Sequence, residues 1–224
     1  MSRNETNMSV SAVRPAVDRH GTSPPPRERI LAAARELFYR RGIHAVGVDA
    51  IAEVAGTNKM TLYRHFASKD MLVAACLAEL TREFDVAWDA IAAAHAGDPK
   101  GQLLAWLRHS GDFKEYEAER GCALANAAIE LPDKDHPARR VIREHKIAHR
   151  ERLIRLCRDA GLAEAERLAD EIFLIWEGAC VTAQSVGALG LSARLAEMFE
   201  ALVAYHARPD RQGELHRRVR GTRR

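Results

Sequence analysis

Aromatic residues are scarce in this chain, 6% of 224 residues, and long alternating runs of β-branched residues are missing. The second absence removes the period-two pattern of a half-buried strand. Alanine is abundant among the 47% of residues that are hydrophobic, so an all-α protein is expected. No stretch approaches the roughly 20 apolar residues that a membrane span requires. The opening segment, MSRNETNMSVSAVRPAVDRHGTSPPPRE, lacks the basic-then-apolar layout of a signal peptide, and a soluble cytoplasmic protein is expected. Cysteine is sparse as well. Cys76, Cys122, Cys157 and Cys180 stand far apart with no C-x-x-C pair, which does not resemble a disulfide framework or a zinc site. No metal or other cofactor is expected. The length allows one or two compact domains with a substantial core.

Charge is nearly balanced overall, +3, but unevenly spread. Residues 1–69 carry +5, residues 70–207 carry −7, and residues 208–224 carry +5. A basic front ahead of an acidic middle suits a nucleic-acid reader joined to a regulatory body. Solvated surface charge explains the same asymmetry, so the pattern needs a motif beside it.

Residues 43–72 supply one. Val48, Ile51, Ala52 and Ala55 follow the i, i+3, i+4, i+7 spacing of a helix face. Gly56 offers the positive φ that a tight turn between helices needs. Asn58 is a good N-cap, so a second helix can begin at Lys59. Its inner side holds only Leu62 and Phe66. Its outer side carries the donors Lys59, Thr61, Tyr63, Arg64 and His65. A short helix with donors outward, preceded by a glycine turn, is how a helix-turn-helix enters a major groove. Ser68 can cap a further helix with Asp70 in its first turn.

The segment TLYRHFASKDML, preceded by GVDAIAEVAG, resembles the DNA-binding domain of TetR-family transcriptional repressors over roughly residues 27–75. The resemblance implies that Lys59, Met60 and Thr61 face the groove, and that Tyr63, His65 and Lys69 bind phosphates. Met60 brings only apolar contact, to a thymine methyl or a sugar. The family often has Ser or Thr where this chain has Gly47 and Val48, so a hydroxyl contact gives way to a backbone N–H at the helix start. RGCALANAAIELPDKDHPARR, residues 120–140, resembles a segment common in one large subgroup of the family. The resemblance further implies a homodimer on a palindromic double-stranded DNA operator, released by a small-molecule effector.

The chain divides accordingly. Residues 1–26, rich in Ser, Pro, Asn and Thr, read as a disordered arm, whose Arg3, Arg14 and Arg19, with Arg27 just beyond it, could track DNA. Residues 27–72 form the DNA-binding domain, residues 73–207 the ligand-binding and dimerisation domain, and residues 208–224 a flexible basic tail. Helices are expected over about 27–41, through the two motif helices, and over 69–94 and 100–117. Another follows Gly121 to about Leu131. A longer one, capped by Asp135, runs to about Ala160. The last two, about 163–187 and 192–206, carry strong apolar stripes and are expected to form the dimer interface.

Three further constellations stand outside the motif. Trp88, Trp106, Phe113, Tyr116 and Trp176 could line an effector pocket, with Asn126 and Glu177 as polar partners; each could equally be bundle core. Cys122 begins a short helix beside Arg120, a setting that lowers a thiol's pKa and would suit a redox or electrophile sensor; a small buried residue is the plainer reading. His145 and His149, four apart on one helix, could join His136 in a helical metal-dependent enzyme. No third ligand at a defined spacing and no nucleophile–base–orienter set accompanies them, so surface histidines and a non-enzymatic protein are expected.

Overall fold

The computed structural model describes residues 24–111, 120–186 and 191–207, and these are helical with no strand among them. Phe113, Tyr116, the basic tail and nearly all of the expected N-terminal arm lie outside the described residues. The chain divides into two compact units, residues 1–76 and 77–224.

The first unit contains α1 (Pro26–Arg41), α2 (Val48–Val54), α3 (Lys59–His65) and the first two turns of α4 (Lys69–Ala94). Pro26 opens α1, where a missing N–H and a fixed φ suit the first turn. Helices α2 and α3 have seven residues each, too few to persist alone in water. A shared core holds them. Ile30 of α1, Ile51 of α2, Leu62 of α3 and Leu72 of α4 are fully buried, each stabilising the unit by about 1.5–3 kcal/mol. Val73 and Cys76 are also buried, and the Cys76 thiol lies 3.9 Å from the Leu31 carbonyl, which is why this unit extends past residue 72.

The second unit holds the rest of α4, then α5 (Pro99–Gly111), α6 (Ala123–Glu130), α7 (Pro137–Asp159), α8 (Ala165–Val186) and α9 (Leu191–His206). Asp98 caps α5 by accepting the Gly101 N–H at 2.9 Å. The expected cap of α7 is displaced by one residue. His136, not Asp135, is the N-cap, its Nδ1 accepting the Ala138 N–H at 3.1 Å, while the Asp135 N–H is taken by the Asp133 carboxylate. Helix α7 packs on α5, α6 and α8, and α9 packs on α5 and α8. Leu103, Leu153, Cys157, Leu168, Ile172 and Phe199 are among the buried residues at their meeting point.

Two polar arrangements lock this body. His206, buried at the end of α9, donates from Nδ1 to the Ala163 carbonyl at 2.7 Å, and its own carbonyl accepts the Ala163 N–H at 2.9 Å. Its Nε2 lies 3.3 Å from Glu171 of α8. At the entry to α6, Gly121 has φ of 63°, and a Cβ there would stand 2.7 Å from the Cys180 carbonyl oxygen. Only glycine lets the chain press this closely on the backbone of α8.

Candidate nucleic-acid interface and effector region

The reading helix is positioned by its cap and its core. Asn58 accepts the Thr61 N–H at 2.9 Å, satisfying one orphan donor of the first turn. Gly56 takes φ of 59° between α2 and α3. With Leu62 and Phe66 buried, helical geometry turns Lys59, Met60, Tyr63, Arg64 and His65 outward, and all five are exposed. Thr61 and Lys69 are half-buried. Met60 is 83% exposed, an arrangement that leaves a large apolar side chain unexplained by packing. No acidic residue lies within α3, so its outer face offers cations, a phenol and an apolar tip. Ser68 accepts the Met71 N–H at 3.1 Å and starts α4, with Lys69 in its first turn.

One of these donors is already engaged. The Lys59 ammonium lies 3.2 Å from the Asp49 carboxylate of α2, with both groups exposed. Such a pair is worth roughly 0–1 kcal/mol, so a base or phosphate can draw Lys59 away cheaply. Gly47 is the extended N-cap of α2 with no side-chain cap, and the expected hydroxyl is absent.

Sequence reasoning missed Arg29. From the first turn of α1 its guanidinium donates to the carbonyls of Ala55 at 2.9 Å and Gly56 at 3.2 Å, pinning the turn between the motif helices. Its partners lie 26 and 27 residues away, beyond any local pattern. Arg27, read as a possible arm contact, stacks on the Phe66 ring at 5.3 Å.

In the second unit the aromatic residues gather around histidines. Trp88 and Trp106 meet edge to face at 4.7 Å. His149 lies 5.8 Å from the first, 5.5 Å from the second and 6.0 Å from Phe173. The expectation of surface histidines is therefore corrected. Burial, with His145 and Lys146 adding repulsion, lowers the His149 pKa to about 3, and burial also lowers that of His145. These are neutral rings packed in an aromatic cluster. His145 and His149 stack with 6.1 Å between centroids, while His136 caps α7, and no group of three metal-binding side chains occurs among the described residues.

The candidate effector residues fall in different places. Trp106 is core. Trp176 is half-buried and donates its indole N–H to the Ser110 carbonyl at 3.1 Å. Asn126 donates to the Arg120 carbonyl. Lys146 joins several of them: it pairs with Glu177, stands 3.8 Å from the Cys122 sulfur, and lies over the rings of Phe173 and Trp176. Cys122 is the N-cap of α6, as the thiol-sensor reading requires, yet burial pushes its thiol up. Lys146 and two backbone N–H groups pull it down and are outweighed, with Glu177 also raising it. A thiol held protonated is a poor nucleophile.

The family model for bacterial regulatory proteins of the tetR family matches residues 30–76. The HTH-type transcriptional activator FasR of Mycolicibacterium smegmatis is 38% identical over 107 residues, 46% of this chain and 48% of FasR. The HTH-type transcriptional regulator UidR of Escherichia coli is 43% identical over 53 residues, 24% of this chain and 27% of UidR. The chain thus spans half or less of the length of these curated relatives. A TetR-family transcriptional regulator from Streptomyces coelicolor matches in structure with a TM-score of 0.76 and 28% identity, over 82% of this chain and 96% of that one. A reading helix with this cap, turn and outer face, together with these likenesses in sequence and fold, places residues 30–76 in the tetR family of bacterial regulatory proteins, within a chain whose fold resembles that of a TetR-family regulator.

Proposed function

We propose that the chain is a cytoplasmic, homodimeric transcriptional repressor that binds a palindromic operator and is released by a small-molecule effector. The outer face of α3 and the start of α4 carry this reading: Lys59, Met60, Thr61 and Arg64 for bases, with Tyr63, His65 and, from α4, Lys69 for phosphates. The acidic body, an apolar surface on its last two helices and the family likeness support the remainder. Leu174 and Val181 of α8 are 70% and 54% exposed, and Met198 of α9 is 50% exposed. Pairing of α8 and α9 with a second copy as a four-helix bundle covers such side chains. Residues 27–76 serve as the reading head and residues 77–207 as the effector and dimerisation body. Helix α4 runs unbroken from Lys69 into the body, so an effector that favours one tilt of α4 changes the spacing of the two heads. Repression follows from a dimer occupying a promoter.

The test uses the full chain and DNA from upstream of its own gene. Saturable binding is expected, with sedimentation showing a dimer at micromolar concentration. Lys69→Ala should weaken binding to all sequences alike and lower the salt slope by about one counterion per site. An unchanged slope sinks the phosphate role of Lys69, and a monomer sinks the palindromic operator. Transcription that rises when the protein is added would replace repression with the activation named for FasR.

A further inference from the structure

A concave site separate from the Trp88–Trp106–His149 cluster opens where α6, α7 and α8 meet. It is a half-open concavity of about 460 Å³, within the roughly 300–1,000 Å³ typical of small-molecule sites. Its apolar side is built from Ala125, Ala128 and Ile129 of α6 and Ile142 of α7. Ile129 is 78% exposed there, so a ligand that covered it would gain from burial. Its polar side is strongly one-signed. Lys134, Arg139, Arg143 and Lys146 line it, against the single carboxylate of Glu177. Arg139, Arg143 and Lys146 are spaced i, i+4, i+7, which sets them along one face of α7.

These cations differ in how they are held. Arg139 donates one N–H to the Ala128 carbonyl at 2.7 Å, tying its guanidinium to α6. Lys146 is neutralised by Glu177 at the inner end. No carboxylate pairs with Lys134 or Arg143 among the described residues. A guanidinium tied to α6, two uncompensated cations and an apolar floor, all within one concavity, select a ligand with an anionic end and a compact hydrocarbon or aromatic body.

We propose that this site binds an amphiphilic organic anion, with its charged end at Arg139, Arg143 and Lys134 and its apolar body on Ala125, Ala128 and Ile129. As the effector site of the repressor, it rests on the reading above. The inner end supplies a route to the rest of the body. An anion that draws Lys146 from Glu177 also moves the ammonium off the rings of Phe173 and Trp176, where it lies 5.3 and 5.2 Å from the ring centres.

The full chain is titrated with 1-anilinonaphthalene-8-sulfonate, read by energy transfer from tryptophan, beside its uncharged counterpart N-phenyl-1-naphthylamine. One saturable site per chain is expected for the sulfonate, weakening with salt. The Lys134→Glu/Arg143→Glu double variant should weaken it at least roughly tenfold and leave the uncharged probe unaffected. Both residues are exposed, so circular dichroism should show an unchanged fold. Equal affinity for the two probes, or sulfonate binding indifferent to the double variant, overturns the site. Adding the sulfonate to the protein–operator complex separates the two levels. Release lost in the double variant supports the effector role. Charge-dependent binding without release keeps the site and removes its effector role, and DNA binding itself stands or falls independently.

Discussion

The two units of this molecule fix their functional residues in opposite ways. In the first, nearly every determinant is local. Asn58 caps three residues ahead, Gly56 turns between adjacent helices, Ser68 caps three residues ahead, and the outward donors follow from where Leu62 and Phe66 point. In the second, the chemistry is assembled across distance. Lys146 of α7 meets Cys122 ahead of α6 and Glu177 of α8, and His149 sits among residues of α4, α5 and α8. A reading head built from local caps keeps its face whatever body follows it. A body built from long-range contacts can change its ligand with a few substitutions while leaving the head alone.

The largest blow to this division is Leu62→Ala. Leu62 is fully buried between the short helices, and its truncation should cost about 2–5 kcal/mol. Because α2 and α3 cannot stand alone, DNA binding should vanish. All three tryptophans, Trp88, Trp106 and Trp176, belong to the body, so fluorescence during denaturation reports that unit alone. An unchanged fluorescence transition is expected. A transition that shifts by the full destabilisation would mean that head and body unfold as one through α4.

Arg29 sharpens the comparison, because it is the head's exception to locality. Arg29→Lys should cost roughly 1.5–3 kcal/mol of head stability, since an ammonium cannot reproduce the forked donation to two carbonyls. DNA affinity should fall, and Arg29→Gln, which also removes the charge, should leave the salt slope unchanged, which marks a positioning residue and not a phosphate contact. A lowered slope would make Arg29 a direct DNA contact.

The same contrast explains what could be read from sequence. The start of α3 and the bounds of α4 were legible, because caps and glycines lie beside the elements they punctuate. The cap of α7 was misplaced by one, since Asp135 and His136 are both competent and tertiary packing chose between them. The histidines of α7 were misread for a related cause. Arg143, Lys146 and Arg150 give the helix a charged appearance, but the faces through His145 and His149 turn toward Trp88 and Phe173. The basic pocket was missed because Lys134, Arg139 and Arg143 look like solvated charges until α6 lays Ala125 and Ile129 beside them.

His149 gives the body a pH dependence. Its folded pKa, about 3, lies far below the ordinary 6.5, so the fold holds the neutral ring. Protonation then favours the unfolded chain. Stability from this residue is complete above about pH 6.5 and is lost as pH falls toward 3. Between pH 7 and pH 5 the loss should reach at most about 2 kcal/mol. His149→Phe keeps a ring among the aromatics and should remove that part of the slope from the tryptophan-monitored unfolding. An identical slope in the variant would show that another group carries the acid sensitivity.

The smallest expected effect bears on Gly47, where the head departs from the family's usual Ser or Thr. Gly47 caps α2 in an extended conformation, φ −82°, and a Cβ there meets nothing within 4 Å. Gly47→Ser therefore fits without strain. Its hydroxyl can accept an N–H of the first turn, which should stabilise the head by only a few tenths of a kcal/mol. Turned outward instead, it can donate to a DNA phosphate, an N-terminal position where an anion is already favoured. A net gain of about 0.5 kcal/mol, roughly a two- to threefold lower Kd measured by fluorescence anisotropy, is expected for all DNA sequences alike. The alternative has an opposite sign. If the bare backbone N–H of Gly47 or Val48 already grips the phosphate, the added side chain crowds it, and the variant should bind more weakly despite a more stable head.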